Sequence, residues 1–318
     1  MFLVYLTLDK ENQAMKYFSL FCICLQLFSC LDKKSKNDLT KQHIYGKVKV
    51  LTQSFHEPIE KFGKIEYEVK IAKYSAIKTS TFNEQGLIMD DSGFGSVGNL
   101  KWKNIYTHDD LGNLIEIDSY DPDGKLYRKT INSFDKSGYL LDRNDFDAAG
   151  ASTGKEIAKY DSAGNLIKET FNLVNGNLRK SAISKLDNKH HIIKYTYFAN
   201  DSVVTKGSNK YDDNGNRIEQ DEYLVRSKRH TLSKYKYDEN HNEIEVVQTK
   251  NNLITSKVTS IYNDMGFLIE SFIYGVGGSL ELHRKHLYEL DAANNWIKQT
   301  IIVDDKPHIV ILHELEYY

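Results

Sequence analysis

Cysteine and proline are both scarce in this chain, with 3 of each in 318 residues. The cysteines, Cys22, Cys24 and Cys30, all fall near the N-terminus, so no disulfide framework can staple the rest together. So few prolines exclude a proline-rich stalk. Neither sign of charge is in excess: 42 basic residues face 44 acidic ones, a net charge of −2. That removes nucleic acid as a partner by bulk charge. No apolar run reaches the roughly 20 residues that a membrane-spanning helix needs. No HExxH, CxxC or GxSxG pattern occurs, so no ready zinc site or acyl-transfer nucleophile is offered. What is abundant is tyrosine, 21 residues, and Asn or Asp close to Gly. The first favours strands and the second favours turns. At 40% apolar and 27% charged, the balance is that of a globular protein.

The longest apolar run, Tyr17 to Phe28, follows Met15-Lys16 and ends at Ser29-Cys30. The chain then turns polar at Asp32-Lys33-Lys34. A basic start, a short apolar stretch and a small residue before the cut are the parts of a secretory signal. As a helix the run spans about 18 Å, well short of a hydrocarbon core of about 30 Å. Leu27-Phe28-Ser29-Cys30 resembles a bacterial lipobox. The resemblance implies cleavage between Ser29 and Cys30, acylation of Cys30, and a membrane as partner through that lipid. Cys22 and Cys24 would leave with the signal. Leu31, rather than Asp, follows Cys30, which in such lipoproteins points to the outer membrane. Residues 1–14 fit no signal pattern and read as a gene-model extension before a start at Met15. Residues 15–29 are then the signal peptide and 30–42 a polar tether.

From residue 82 onward one pattern recurs: an aromatic residue, Asp or Asn, two variable residues, Gly, one variable residue, then an aliphatic. Tyr160-Asp161-Ser162-Ala163-Gly164-Asn165-Leu166 and Tyr211-Asp212-Asp213-Asn214-Gly215-Asn216 are the clearest copies. Gly86, Gly112, Gly138, Gly164, Gly215 and Gly266 occupy the turn position, and His190, His241 and Asn294 fill it in decayed copies. The steps are 26, 26, 26, 26, 25, 26, 25 and 28 residues. A second turn lies inside the period, at Gly98, Gly124, Gly150, Gly176 and Gly278. Turns this close leave strand-length segments, so each 26-residue period is two antiparallel strands. Glycine supplies positive φ, and Asp or Asn bonds the turn's own backbone. Counting from Gly112, the residues Leu114, Glu116, Asp118 and Tyr120 fall at even spacing and should share a face.

Nine periods predict an all-β fold: an antiparallel meander of about 18–20 strands. Such a sheet cannot stay flat and is expected to coil or roll. Residues 43–81 read as an N-terminal β cap and 82–318 as the repeat array. Ile309 to Tyr318 is strand-like, suited to covering an edge or pairing with a partner.

The recurring YDxxGN core at Tyr160–Leu166, Tyr211–Asn216 and Tyr120–Leu126 resembles the YD-repeat, or rearrangement-hotspot, family. The resemblance covers about residues 82–300. It implies a coiled β-shell acting at a cell surface. This chain is shorter than the large members and shows no toxin region after its repeats.

Other motifs reduce to turns and strands. Gly93-Phe94-Gly95-Ser96-Val97-Gly98 matches GxGxxG, yet a strand pattern follows it where a dinucleotide site needs a helix. Asp212, Asn214 and Asn216 have calcium-loop spacing without the closing Glu. His283 and His286, like His190 and His191, fall on opposite strand faces. Arg226-Ser227-Lys228-Arg229-His230 reads as a solvated loop. No cofactor is expected. The expectation is a non-enzymatic, lipid-anchored envelope protein with a scaffold or binding surface, whose further partner is a glycan or an envelope protein. Two alternatives stand beside it: a carbohydrate-binding lipoprotein using exposed aromatics, and an envelope hydrolase built on carboxylates such as Asp109 and Asp110.

Overall fold

The computed structural model describes residues 37–70, 76–161, 165–172 and 178–318. Ser29, Cys30, Gly164 and Gly176 lie outside them, as does most of the expected tether. A single helical turn, α1 (Asp38–Lys41), precedes 21 strands. The first are β1 (Val48–Lys61), β2 (Lys64–Lys70), β3 (Ile77–Phe82), β4 (Ile88–Phe94), β5 (Leu100–His108), β6 (Leu114–Tyr120) and β7 (Leu126–Phe134). Then come β8 (Leu140–Asp147), β9 (Ser152–Tyr160), β10 (Leu166–Asn172), β11 (Leu178–Leu186), β12 (Ile192–Ala199), β13 (Ser202–Tyr211) and β14 (Arg217–Leu224). The last are β15 (Arg229–Tyr237), β16 (Glu243–Lys250), β17 (Leu253–Tyr262), β18 (Leu268–Tyr274), β19 (Leu280–Leu290), β20 (Trp296–Val303) and β21 (Lys306–Tyr317).

The fold is all-β, as expected, but the sheet closes rather than coils open. Strands β3 to β21 pair antiparallel in sequence order, and β1 pairs with both β21 and β3. Twenty strands thus form a barrel, with β2 extending the β1 hairpin outside the ring. The physical reason is the edge problem: a rolled meander leaves two unpaired edges, and joining them removes both. Residues 43–81 therefore do more than cap, since β1 and β3 are ring members. Ile309 to Tyr318 pairs with this chain's own β1, not with a partner.

Each described signature turn is held by its own Asp or Asn. In the turn joining β5 to β6, the Asp109 Oδ1 accepts from the main-chain N–H of Leu111 and Asn113, at 3.0 and 2.8 Å. Its Oδ2 accepts from the Asn113 side chain at 2.8 Å. The same scheme holds at Asp212 with Asn216 and at Asp238 with Asn242. Gly112 sits at φ 81°, and His190, His241 and Asn294 take the same left-handed conformation at φ 65°, 65° and 64°. Successive turns also stack. A Cβ on Gly112 would lie 3.5 Å from Leu87 of the preceding turn, and one on Gly215 would lie 3.2 Å from His191.

A register shift follows from this geometry. It falls between Thr107 and His108 on one side of β6 and between Ser119 and Tyr120 on the other. Alternation therefore cannot be counted through a turn: Ile115 is passed over opposite β5, which puts Leu114 out of phase with Glu116 and Asp118, whereas Tyr120 follows Asp118 with no residue of β6 passed over and keeps their face. The shift disturbs the ladder, and the signature tyrosine repairs it. The hydroxyls of Tyr211, Tyr237 and Tyr262 donate to the carbonyls of Ile192, Arg217 and Glu243 at 3.1, 3.0 and 3.2 Å. Those carbonyls sit two residues past the turn position of the preceding period.

Away from the seam of β1, β20 and β21, the inward face of the strands is the more buried, as the concave side of a barrel must be. Ser184, Tyr195, Asn209, Ser233, Tyr235, Ser271 and Ile311 belong to it. Leu39 and Ile44 pack on this side with Val48, Leu51 and Phe82, so residues 37–46 sit within one mouth of the barrel. Asn37 caps α1 and donates to the Gln85 carbonyl at 2.8 Å, and Asp38 accepts from Ile88 N–H at 2.9 Å. Asn295 bonds the Tyr45 N–H and carbonyl at 2.6 and 2.9 Å. Residues 37–42, read from sequence as tether, are therefore docked.

Candidate functional site

The inward faces of β12 to β17 bring together a row of polar side chains. Register aligns Tyr195, Gly207, Glu222, Thr231 and Lys250 across five strands. A second row aligns Asn209, Gln220, Ser233, Gln248 and Ser256. The Gln220 amide donates to the Tyr195 hydroxyl at 3.0 Å, which donates to Glu222 at 3.2 Å. The Tyr235 hydroxyl donates to the Gln220 carbonyl oxygen at 3.3 Å, and the Arg217 guanidinium lies 5.0 Å over the Tyr235 ring.

Burial pushes the Glu222 carboxyl up, against the hydrogen bond from Tyr195 and the charge of Arg229, which pull it down. Burial and then the Glu222 charge raise the Tyr195 phenol far above its usual range. Burial, aided by Arg229, lowers Lys250. The wall thus offers neutral and charged donors and acceptors side by side. The hydroxyls and amides bonded to one another around Glu222 make it a hydrogen-bonding surface.

Tyr195 is 3% exposed and lies over Gly207, where a Cβ would meet its ring at 2.2 Å. Gly207→Ala should therefore displace the ring and cost about 2 kcal/mol. Denaturant titration of a double-mutant cycle with Tyr195→Ala checks this. The two changes should couple by more than about 1 kcal/mol, and additive effects would remove the packing argument.

The outward faces carry cross-strand ion pairs around the wall. Lys129 bonds Glu116 and Asp118 at 2.7 and 2.9 Å, and Glu245 is held between Lys236 and Lys257 at 2.7 Å each. Lys210–Glu219 and Lys298–Glu289 continue the series, and His283 hydrogen-bonds Glu270 beside them. Each Lys facing lipid at mid-depth would cost about 2–4 kcal/mol.

The remaining candidates resolve individually. Asp109 uses both oxygens on its own turn and Asp110 is exposed beside it, so they form no catalytic carboxylate pair. Gly93 to Gly98 is strand–turn–strand. Asp212 caps its turn through Asn214 and Asn216. His283 faces Glu270 outside at 2.7 Å while His286 meets Gln299 inside at 3.1 Å, and no three-residue metal cluster occurs among the described residues. Arg226 to Lys228 form a turn, but Arg229 and His230 already belong to β15. Tyr127 and Tyr223 are exposed on separate strands, so they make no outer stacking platform. Sequence reasoning missed Tyr195, Gln220, Glu222 and Tyr235, because their meeting depends on register.

No family model matches the chain, and no curated protein matches it. Among solved structures, a porin-like protein from Bacteroides uniformis ATCC 8492 aligns over 85% of this chain and 96% of its own, at 10% identity and a TM-score of 0.33. A porin-like protein from Bacteroides vulgatus ATCC 8482 aligns over 59% of this chain and 97% of its own, at 13% identity and a TM-score of 0.26. At these scores neither match says what this chain does.

Proposed function

We propose that this chain is a non-enzymatic, lipid-anchored envelope protein of the YD-repeat kind. Its barrel stands in water, tied to a membrane through acylated Cys30, and its inner wall is the binding surface. The observation that carries the reading is the ion-paired exterior: strands that display Lys129, Lys236, Lys257 and Lys298 outward do not face hydrocarbon. Attachment then falls to the lipobox at Ser29-Cys30. The turn scheme of capping Asp, left-handed Gly and tying Tyr supports the YD-repeat resemblance.

The favoured ligand class is a saccharide, because the half-buried Gln220, Gln248 and Ser256 present amides and a hydroxyl in one row across the wall. Membrane fractionation of the full-length chain tests the anchor. Cys30→Ser should move the protein from the membrane pellet to the soluble fraction. Retention in the pellet after a high-salt wash would overturn the reading. Glycan-array binding of that soluble variant, lost in Gln220→Ala, tests the ligand class. Binding unchanged by Gln220→Ala would place it elsewhere.

A further inference from the structure

We infer that the signature-turn rim of the barrel faces the membrane, and that the opposite rim, with the turns at Val97, Ser227 and Val276, points away from it. The inference rests on the acylation of Cys30 proposed above.

Two observations fix the geometry. First, Asn37 is pinned to the signature rim: its side chain donates to the Gln85 carbonyl at 2.8 Å, and Leu39 N–H donates to the Gly86 carbonyl at 3.3 Å. Second, Asn37 lies only seven chain steps beyond Cys30. Fully stretched, they reach about 25 Å. A nine-residue strand such as β15 is itself about 30 Å long. The lipid therefore lies within one short tether of the signature rim, whatever path residues 31–36 take. The distal rim adds up to a strand length to that distance.

Charge keeps the near rim from settling flat. Asp110, Asp213, Glu239 and Asp264 each follow a turn's capping residue and are exposed. These carboxylates repel anionic head groups within about a Debye length of 8–10 Å. The lysines of the tether, Lys33, Lys34 and Lys36, carry the opposite sign. The near rim is thus a spacer, and the distal rim is the one that other envelope molecules meet first.

Energy transfer in vesicles tests this, since the mature chain carries no cysteine besides Cys30. The acylated full chain is labelled at Asp110→Cys on the near rim or at Ser227→Cys on the far rim. Both positions are exposed. The vesicles are phosphatidylcholine containing an acceptor lipid. Transfer should be about two-fold or more stronger from position 110, given a separation of about 30 Å. A 20-residue Gly/Ser insertion after Lys34 should erase the difference. Equal or reversed transfer without the insertion would overturn the orientation while leaving the anchor intact. Undiminished transfer from the Cys30→Ser versions would overturn the anchor, and the orientation with it.

Discussion

Val310→Asp should prevent the barrel from closing. Val310 is fully buried on β21 and sits between Thr300 of β20 and His56 of β1 in the seam that joins the two ends of the chain. It points outward, yet Ser54, His56 and Thr300 beside it are also buried. The β1–β2 hairpin covers that patch: the Tyr67 ring lies 5.0 Å from His56 and 5.7 Å from the Lys298 ammonium. A carboxylate placed there is shut away from water, and the Lys298 ammonium of that patch is already held by Glu289 at 2.7 Å. Leaving a charge buried and unpaired costs about 3–5 kcal/mol, against a typical total stability of about 5–15 kcal/mol. Opening the seam would also bare two strand edges, which pair with other chains. The expected result is loss of the monomer peak in size exclusion, with soluble aggregate in its place. Ile261→Asp is the matched control, because Ile261 is 45% exposed on the outside of β17. It should fold normally. Equal behaviour of the two variants would mean that the seam does not govern folding.

Acid should weaken the barrel well above the range where its carboxylates titrate. His313 is 8% exposed and stacks on Trp296 with ring centroids 3.4 Å apart. Burial, partly opposed by a backbone bond from Trp296, holds it down to about 3. Burial, with the Arg284 charge, holds His286 down to about 4. Both rings are neutral when folded, whereas the unfolded chain takes up protons near pH 6.5. A base whose folded pKa is lowered gives its full stability above the unfolded value. That stability drains as pH falls from 6.5 toward the folded value. For His313 the full span is worth on the order of 4 kcal/mol. The turn acids follow lower down. Hydrogen bonds from the Asn216 and Asn242 side chains, chiefly, depress Asp212 and Asp238, so their contribution is present above their unfolded pKa and lost only as pH falls below about 4. Urea denaturation followed by tryptophan fluorescence should show stability declining from pH 6.5 to pH 4.5. His313→Phe should flatten that slope. A flat profile in the native protein would sink the argument.

Much of the architecture is local in origin and could be read along the chain. The cadence of Asp, Gly and Tyr reports turns whose bonds close within five residues, as at Asp109 to Asn113, so a short window holds the whole cause. Where the cadence decays the local signal was still present: Asn200-Asp201, Asn251-Asn252 and Asp304-Asp305 are paired left-handed residues at tight hairpins, and Asn and Asp favour such turns. The inner wall is another matter. Tyr195 reaches Glu222 and Gln220 only because the register shifts after each signature turn place them opposite one another, and those shifts emerge from strand pairing. Ring closure is less local still, since nothing near Val48 announces that Tyr317 will be its neighbour. Leu39 looks like an incidental apolar residue in a polar tether until Leu51 and Phe82 are seen beside it.

The pairing of the first ring strand with the last carries a consequence for biogenesis. A chain made N-terminus first presents β1 early and β21 last, so the hoop stays unlatched until its final strand is available. Hairpins can zip one by one as they emerge, each nucleated by its own turn. The last dozen residues then act as the latch, and truncating them would leave a mostly zipped sheet exposed to proteases along two raw margins.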